Sequence, residues 1–220
     1  MARNKPGSGL EYSPELAERL AQELEPLSAE ELLGWAAERF GAQLCLTCSW
    51  QKQSSALVHM LSELDLRVDV IELDTELFFR ETYALQEGPN LWERDPDRCC
   101  HIRKVEPLER ALAPYDAWIS GVRRDQSPSR AGLKKIQYSE RYGLWRFHPF
   151  ADWNEKRVWA YLTVNEIPYN PLHDMGYRSI GCIPCTRPTN PGEEERAGRW
   201  SGSDKLECGI HPDGPSAKKD

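Results

Sequence analysis

Gln43-Leu44-Cys45-Leu46-Thr47-Cys48-Ser49-Trp50-Gln51-Lys52-Gln53-Ser54-Ser55-Ala56-Leu57-Val58 is the stretch on which the fold turns. Gln43 to Thr47 is a short apolar run with strand character, and Cys48 to Gln53 is a polar loop. From Ser54 the apolar residues Leu57, Val58, Leu61 and Leu64 recur at the spacing of one helix face. Working outward, strands are predicted at Arg67–Leu73, Asp116–Gly121 and Leu144–Phe147. Helices are predicted at Glu76–Gln86, at Pro96–Leu112, and from a cap at Asp152 or Glu155 to about Asn165. Strands alternating with helices predict an α/β fold, a twisted, mainly parallel sheet with helices on both faces. Upstream, Leu16, Leu20, Ala21 and Leu24 mark a helix over Ser13–Glu25 that Pro26 stops. Ser28 and Glu31 form a capping box opening a second helix to Phe40, closed by Gly41.

The 220 residues suit one α/β domain with a short appendage. The predicted organisation is a helical segment at 1–42, an α/β domain at 43–185 and a mobile C-terminal segment at 186–220. Residues 186–220 hold four Pro, five Gly and few apolar residues, which reads as a tail or lid. No run of about 18 apolar residues occurs, which argues against a membrane span. Met1 to Gly9 lacks an apolar region behind its charges, so no secretory signal is expected and the expected location is cytoplasmic. The net charge of −7 and a pI near 5.4 lack the broad positive field that nucleic acid demands. A small anion held by local arginines stays open.

Seven cysteines stand at 45, 48, 99, 100, 182, 185 and 208. Their number is odd, and cytosolic thiols are kept reduced, so metal binding or chemistry is favoured over structural bridges. Cys99-Cys100 and Gly181-Cys182-Ile183-Pro184-Cys185 supply four candidate thiolates, fit for zinc or an iron–sulfur centre; spacing alone does not choose. Inert buried thiols, or a redox dithiol at 182 and 185, are the competing interpretations. Thr186-Arg187-Pro188 argues against the dithiol, because Pro188 bars the helix that such motifs open.

The loop after the first strand presents Ser49, Ser54 and Ser55 at a helix start, a natural seat for phosphate, although a serine there is commonly only a cap. Asp74 and Thr75 end the next strand, where a ligand contact or a helix cap would sit. Arg123 and Arg124, in Gly121 to Arg130, and Arg196 and Arg199 in the tail suit an anionic ligand, since guanidinium forks grip oxyanions bidentately. Glu207-Cys208-Gly209-Ile210-His211 puts a thiol near Lys205 and His211 in an accessible segment. Free thiols titrate near about 8.5, and a neighbouring cation enriches the nucleophilic thiolate. Cys45 and Cys48 are read as packing.

Several of these motifs, in this order, resemble the assimilatory sulfonucleotide reductases, the adenylyl-sulfate (APS) reductase branch of the phosphoadenylyl-sulfate (PAPS) reductase family. They are Cys99-Cys100 with Ile102 to Leu108, Arg123 to Pro128, Pro168-Tyr169-Asn170-Pro171-Leu172-His173, Gly181 to Pro188, Arg196 to Trp200 and Glu207 to His211. The resemblance implies an adenine-nucleotide alpha-hydrolase-like (PP-loop-type) sheet. It also implies a 4Fe–4S cluster on Cys99, Cys100, Cys182 and Cys185, with Cys208 as nucleophile. Thiolate attack would release AMP and leave an S-sulfocysteine, from which reduced thioredoxin or glutaredoxin frees sulfite. Lys104 and His211 join Cys208 as catalytic residues. Ser49, Ser54, Ser55, Asp74, Thr75, Arg123, Arg124, Arg196 and Arg199 become substrate contacts, and a homo-oligomer is allowed.

Two departures stand out. Trp50, Gln51 and Gln53 occupy the loop where ATP-pyrophosphatase cousins carry glycines and an acidic residue, which counts against ATP. Glu76 follows Asp74-Thr75 where many relatives have glycine. The rival activities are reduction of PAPS, an ATP-dependent adenylating reaction that would not need Cys208, and a non-catalytic iron–sulfur or zinc protein.

Overall fold

In the computed structural model the described residues are 10–72, 91–201, 203, 205 and 207–211; Asp74, Thr75 and the predicted helix at Glu76–Gln86 lie outside them. Helix α1 runs Pro14–Leu24, with the Ser13 hydroxyl accepting from the Leu16 N–H and Pro14 in the first turn, where its missing N–H costs nothing. Helix α2 runs Ala29–Phe40. Ser28 and Glu31 cap it reciprocally, and Gly41 ends it at φ +50°, a conformation that suits glycine. Leu32, Leu33 and Ala36 of α2 are fully sealed from solvent. Burial of each leucine contributes on the order of 2 kcal/mol.

The sheet contains β1 (Leu44–Cys48), β2 (Asp69–Glu72), β3 (Ala117–Ile119), β4 (Ile136–Ser139) and β5 (Leu144–Phe147), in the order β2-β1-β3-β5-β4. The pairs β1–β2, β1–β3 and β3–β5 are parallel. The pair β4–β5 is antiparallel. Strands β3 and β5 are buried throughout; β3 reads as an unbroken apolar run, while β5 is apolar except for the buried Arg146. The order reverses between β1 and β3, so their carboxyl ends flank the switch point at which such sheets bind ligands.

Strands β2 and β3 are shorter than predicted, and four further differences bear on the fold. Helix α3 is Lys52–Glu63, two residues longer at its start than predicted. Strand β4 is absent from the predicted elements; with only Ile136 and Tyr138 apolar, it forms because the turn closed by Gly143 folds it back onto β5. The helix Glu155–Val164 is capped by Asn154, whose side chain accepts from Arg157, while Asp152 pairs with Lys135. Finally, Pro96–Leu112 is not one α-helix but Pro96–Cys100, a π-helical turn His101–Val105, and Glu106–Leu112. Pro107 explains it. Inside an α-helix its ring would strike the carbonyl of Arg103, and the wider turn relieves that contact.

The chain forms two compact units, one of Met1–Glu72 with Leu112–Asn170, the other of Leu73–Ala111 with Pro171–Asp220. The first holds the sheet. Within the second, the Pro- and Gly-rich stretch is hydrogen-bonded, with Thr186 bridging Arg199 and the Arg187 N–H donating to Gly198 at 2.9 Å. No helix among the described residues is long and apolar enough to cross a membrane.

Candidate active site

In the sheet unit the loop between β1 and α3 is already folded on itself. The Ser49 N–H donates to Ser54 Oγ at 3.2 Å, and the two hydroxyls lie 3.3 Å apart. Ser54 and Ser55 are buried in the first turn of α3, and Gln51 stands at its N-cap with its side-chain amide donating to Ser49 Oγ at 3.5 Å rather than accepting from the helix. Trp50 carries the bend at φ +52°, unusual for a bulky residue, and its indole N–H donates to Glu72 at 2.7 Å. Lys52, wholly buried, pairs with Glu155 at 2.7 Å and lies 5.7 Å from the Trp159 ring. A Cβ on Gly121 would stand 2.8 Å from that of Gln53. The absence of a side chain at 121 therefore lets the loop after β3 approach the first turn of α3 across the switch point.

Arg123 is fully buried, its Nε 2.9 Å from Asp125. Arg124 is clasped elsewhere. Its Nη2 bonds both carboxylate oxygens of Glu25, at 2.6 and 2.9 Å, and its Nε donates to the Leu133 carbonyl at 2.7 Å. Beside them, His148 is sealed, with Nδ1 2.8 Å from Ser120 Oγ and Nε2 lacking a hydrogen-bond partner among the described residues. Burial, reinforced by Arg146, Arg130 and Arg124, holds its pKa well below the ordinary 6.5.

In the second unit five cysteines come together. Cys99 and Cys100 are buried in the last turn before the π-helical segment, and Cys182 and Cys185 flank a short 3-10 turn. Burial pushes the Cys100 thiol up to about 11, with Cys208 and Cys99 adding to the rise and Lys205 and Lys104 opposing it. Burial also raises Cys99, which senses Cys182, and Cys185, which senses both Cys182 and Cys99. Cys99, Cys100 and Cys185 are thus desolvated, Cys182 acts on Cys99 and Cys185, and cations among Arg103, Lys104, Arg199 and Lys205 act on each of the three. As a donor set this fits a group that binds thiolate anions, because the surrounding cations offset the charge that desolvation resists. No three His, Cys, Asp or Glu side chains among the described residues are placed to hold a single metal ion.

Cys208 and His211 are half-buried. Gly209 follows Cys208 at φ +83°, a turn that favours glycine, and approaches Val105 at the end of the π-helical turn. The Arg199 guanidinium bonds the Ile180 carbonyl at 3.0 Å and Ser179 Oγ at 3.3 Å, while its Nε has no partner among the described residues. Burial lowers its pKa, and the neighbouring Cys208, Cys182, Cys100 and Glu207 act in the other direction. Arg196 pairs with Glu207 at 2.9 Å, and Lys205 pairs with Asp97.

Trp200 is the hub of this cluster. Its ring centroid lies 4.6 Å from the Arg199 guanidinium, 5.6 Å from that of Arg196 and 5.9 Å from the Lys205 ammonium. Its backbone N–H donates to the Cys185 carbonyl at 2.9 Å, and its φ is +47°. The sequence placed Trp200 in a motif without giving it work to do. A lone tryptophan between two arginines and a lysine was the available signal.

Among known proteins, the phosphoadenosine phosphosulfate reductase domain matches residues 83–188. The phosphoadenosine 5'-phosphosulfate reductase of Gloeobacter violaceus is 40% identical over 240 residues, covering 96% of this chain and 99% of that one. The adenosine 5'-phosphosulfate reductase of Halalkalibacterium halodurans is 40% identical over 217 residues, covering 86% and 94%. A solved PAPS reductase from Candida auris, a phosphate complex, superposes with TM-score 0.66 at 26% identity, covering 80% of this chain and 98% of that one.

Proposed function

The chain belongs to the phosphoadenosine phosphosulfate reductase family, with the family's adenine-nucleotide alpha-hydrolase-like fold, and we propose from that premise that it reduces adenosine 5'-phosphosulfate (APS) to sulfite and AMP. It is an oxidoreductase acting on sulfur in sulfate assimilation. The observation that carries the reading is the cation cluster of Arg199, Arg196 and Lys205, set at 4.6, 5.6 and 5.9 Å from the Trp200 ring, with Arg199 among the charges that neighbour Cys208.

The Cys208 thiolate attacks the sulfur of the phosphosulfate. The bond from that sulfur to the bridging oxygen breaks, AMP departs with the oxygen and its electron pair, and Cys208 carries a sulfonate. A dithiol reductant, thioredoxin or glutaredoxin, then attacks Cys208 Sγ and expels sulfite, and its second thiol displaces Cys208 from the mixed disulfide. Two thiols are oxidised to one disulfide as the sulfur gains two electrons. Negative charge grows on the leaving phosphate oxygen, and preset cations such as Arg196, Arg199 and Lys104 lower that barrier. His211 is the local candidate for moving the Cys208 proton. Ser49, Ser54 and Ser55, with Arg123, serve the nucleotide end at the switch point, and Arg124 contributes there by fixing its loop. Asp74 and Thr75 are proposed adenosine contacts on the resemblance alone.

Cys99, Cys100, Cys182 and Cys185 would hold a 4Fe–4S cluster, which when bound supplies a fixed charge distribution that orients Lys104 and its neighbouring cations. Replacing Cys182 by Ser is expected to remove absorbance near ~400 nm, whereas Cys208→Ser keeps it. PAPS is the second candidate substrate, favoured by the name of the Gloeobacter relative. Comparing kcat/KM for the two nucleotides separates them, with APS expected to be preferred. The deciding experiment traps the adduct. Incubated with APS and no reductant, the Cys208 peptide is expected to gain one sulfonate by mass spectrometry, and Cys208→Ser to gain none. An unmodified Cys208 peptide in protein that still makes sulfite would refute the mechanism.

A further inference from the structure

The geometry points to Gly181 as a positioning residue, whose missing side chain is the seat of the Arg199 guanidinium beside Cys182. A Cβ built on Gly181 would lie 2.2 Å from Arg199 Nη2, 2.4 Å from Cζ and 2.7 Å from Nε. No real Cβ tolerates such contacts, so any residue but glycine displaces the guanidinium. The φ of Gly181 is not left-handed, so backbone strain is not what calls for glycine there.

The atoms in the way are the far end of a long flexible side chain. That distinguishes Gly181 from Gly198, whose Cβ would meet the carbonyl oxygen of Arg187 at 2.2 Å, where the backbone itself must yield. An alanine at 181 is therefore cheap for folding and expensive for the position of one cation. When that cation moves it leaves Ser179 and Ile180, the Trp200 ring, and the region it shares with Cys208, Cys182 and Cys100. Seated, the guanidinium keeps a buried Nε–H that no described protein acceptor takes, a donor suited to an anion.

This inference rests on the proposal that the chain reduces a sulfonucleotide. Its test is a double-mutant cycle on protein purified anoxically, with Gly181→Ala, Arg199→Ala and both together. Each single change is expected to lower kcat/KM for APS on the order of 10- to 100-fold, the range for loss of a charged hydrogen bond. The double variant is expected to match Arg199→Ala within about threefold, because Gly181 acts through Arg199. The Tm of Gly181→Ala should stay within about 3 °C of wild type. Its crystal structure should show the guanidinium off Ser179 and Ile180.

Four results overturn the inference: wild-type kcat/KM in Gly181→Ala; a double variant that falls by the product of the two singles; a guanidinium that keeps both hydrogen bonds in the crystal structure of Gly181→Ala; or a Tm drop well beyond about 5 °C, showing that the backbone had to give. If the wild type makes no sulfite from APS or PAPS, the reaction assignment fails instead, and the Gly181→Ala crystal structure alone decides the contact.

Discussion

His148 allows a quantitative test of how the sheet unit responds to pH. It is fully buried, its Nδ1 is held by the 2.8 Å contact with Ser120, and Arg146, Arg130 and Arg124 all oppose its protonation. Its folded pKa is therefore depressed, whereas the unfolded chain titrates at the ordinary 6.5. The sign follows. Below 6.5 the unfolded state binds a proton that the folded state refuses, so stability is fully present above 6.5 and falls as pH drops toward the folded pKa. If the folded group stays neutral throughout, lowering pH from 7 to 5 removes about 1.9 kcal/mol, an integral of the limiting slope of about 1.4 kcal/mol per pH unit. For a chain of this size that is roughly 4–8 °C in Tm. The assay is urea unfolding followed by circular dichroism at pH 7, 6 and 5 at constant ionic strength, for wild type and His148→Asn. Asparagine keeps a polar group near Ser120 but cannot titrate. Carboxylates and other histidines affect both proteins alike, so the difference between the two slopes isolates residue 148. The wild type should lose about 1.9 kcal/mol more than the variant over that window. Parallel pH profiles would show that His148 takes up its proton in the folded state, and would refute the claim that its surroundings exclude the charge.

Two further predictions concern stability. Gly34 lies inside α2 with nothing within 4 Å of its missing Cβ, so Gly34→Ala should raise ΔG of unfolding by about 0.5–1 kcal/mol with an unchanged m-value; a destabilised variant would mean that the helix needs the glycine. Glu155→Gln should cost about 2–3 kcal/mol by removing the carboxylate charge 2.7 Å from the sealed Lys52 ammonium, and Lys52→Met should cost less because it removes the buried cation itself. Equal losses in chemical denaturation would sink that account.

Local chemistry was legible in the residues. Ser13 and Ser28 as caps, the stop near Pro26 and the close at Gly41 are contests within four or five residues, and each came out as the sequence indicated. Strands β1, β3 and β5 were legible because burial leaves them mostly apolar, with Thr47 and Arg146 the exceptions. Strand β4 was not, since its stability comes from β5 and from a turn rather than from its own composition. The π-helical turn was legible in principle, as Pro107 forbids a regular helix there, but periodicity alone passed over it. In the candidate site, the cysteines, Arg199 and Lys205 came from spacing and chemistry and converge in one unit. The fate of Arg124 did not, because Glu25 stands 99 positions away and nothing local announces it. Nor did the part played by Gly181, which depends on a guanidinium 18 residues downstream.

The second unit is assembled from two separated lengths of chain, and that has a consequence for synthesis. Cys100 is synthesised 82 residues ahead of Cys182, with the second stretch of the sheet unit, Leu112–Asn170, encoded between them. At about 5–20 residues per second the first cysteine pair waits roughly 4–16 s for the second. During that interval the nascent polypeptide carries two adjacent thiols without their eventual neighbours, open to oxidants or stray ions. Loading of any group held by all four thiolates must then wait for Cys185, by which point both stretches of the sheet unit have been synthesised.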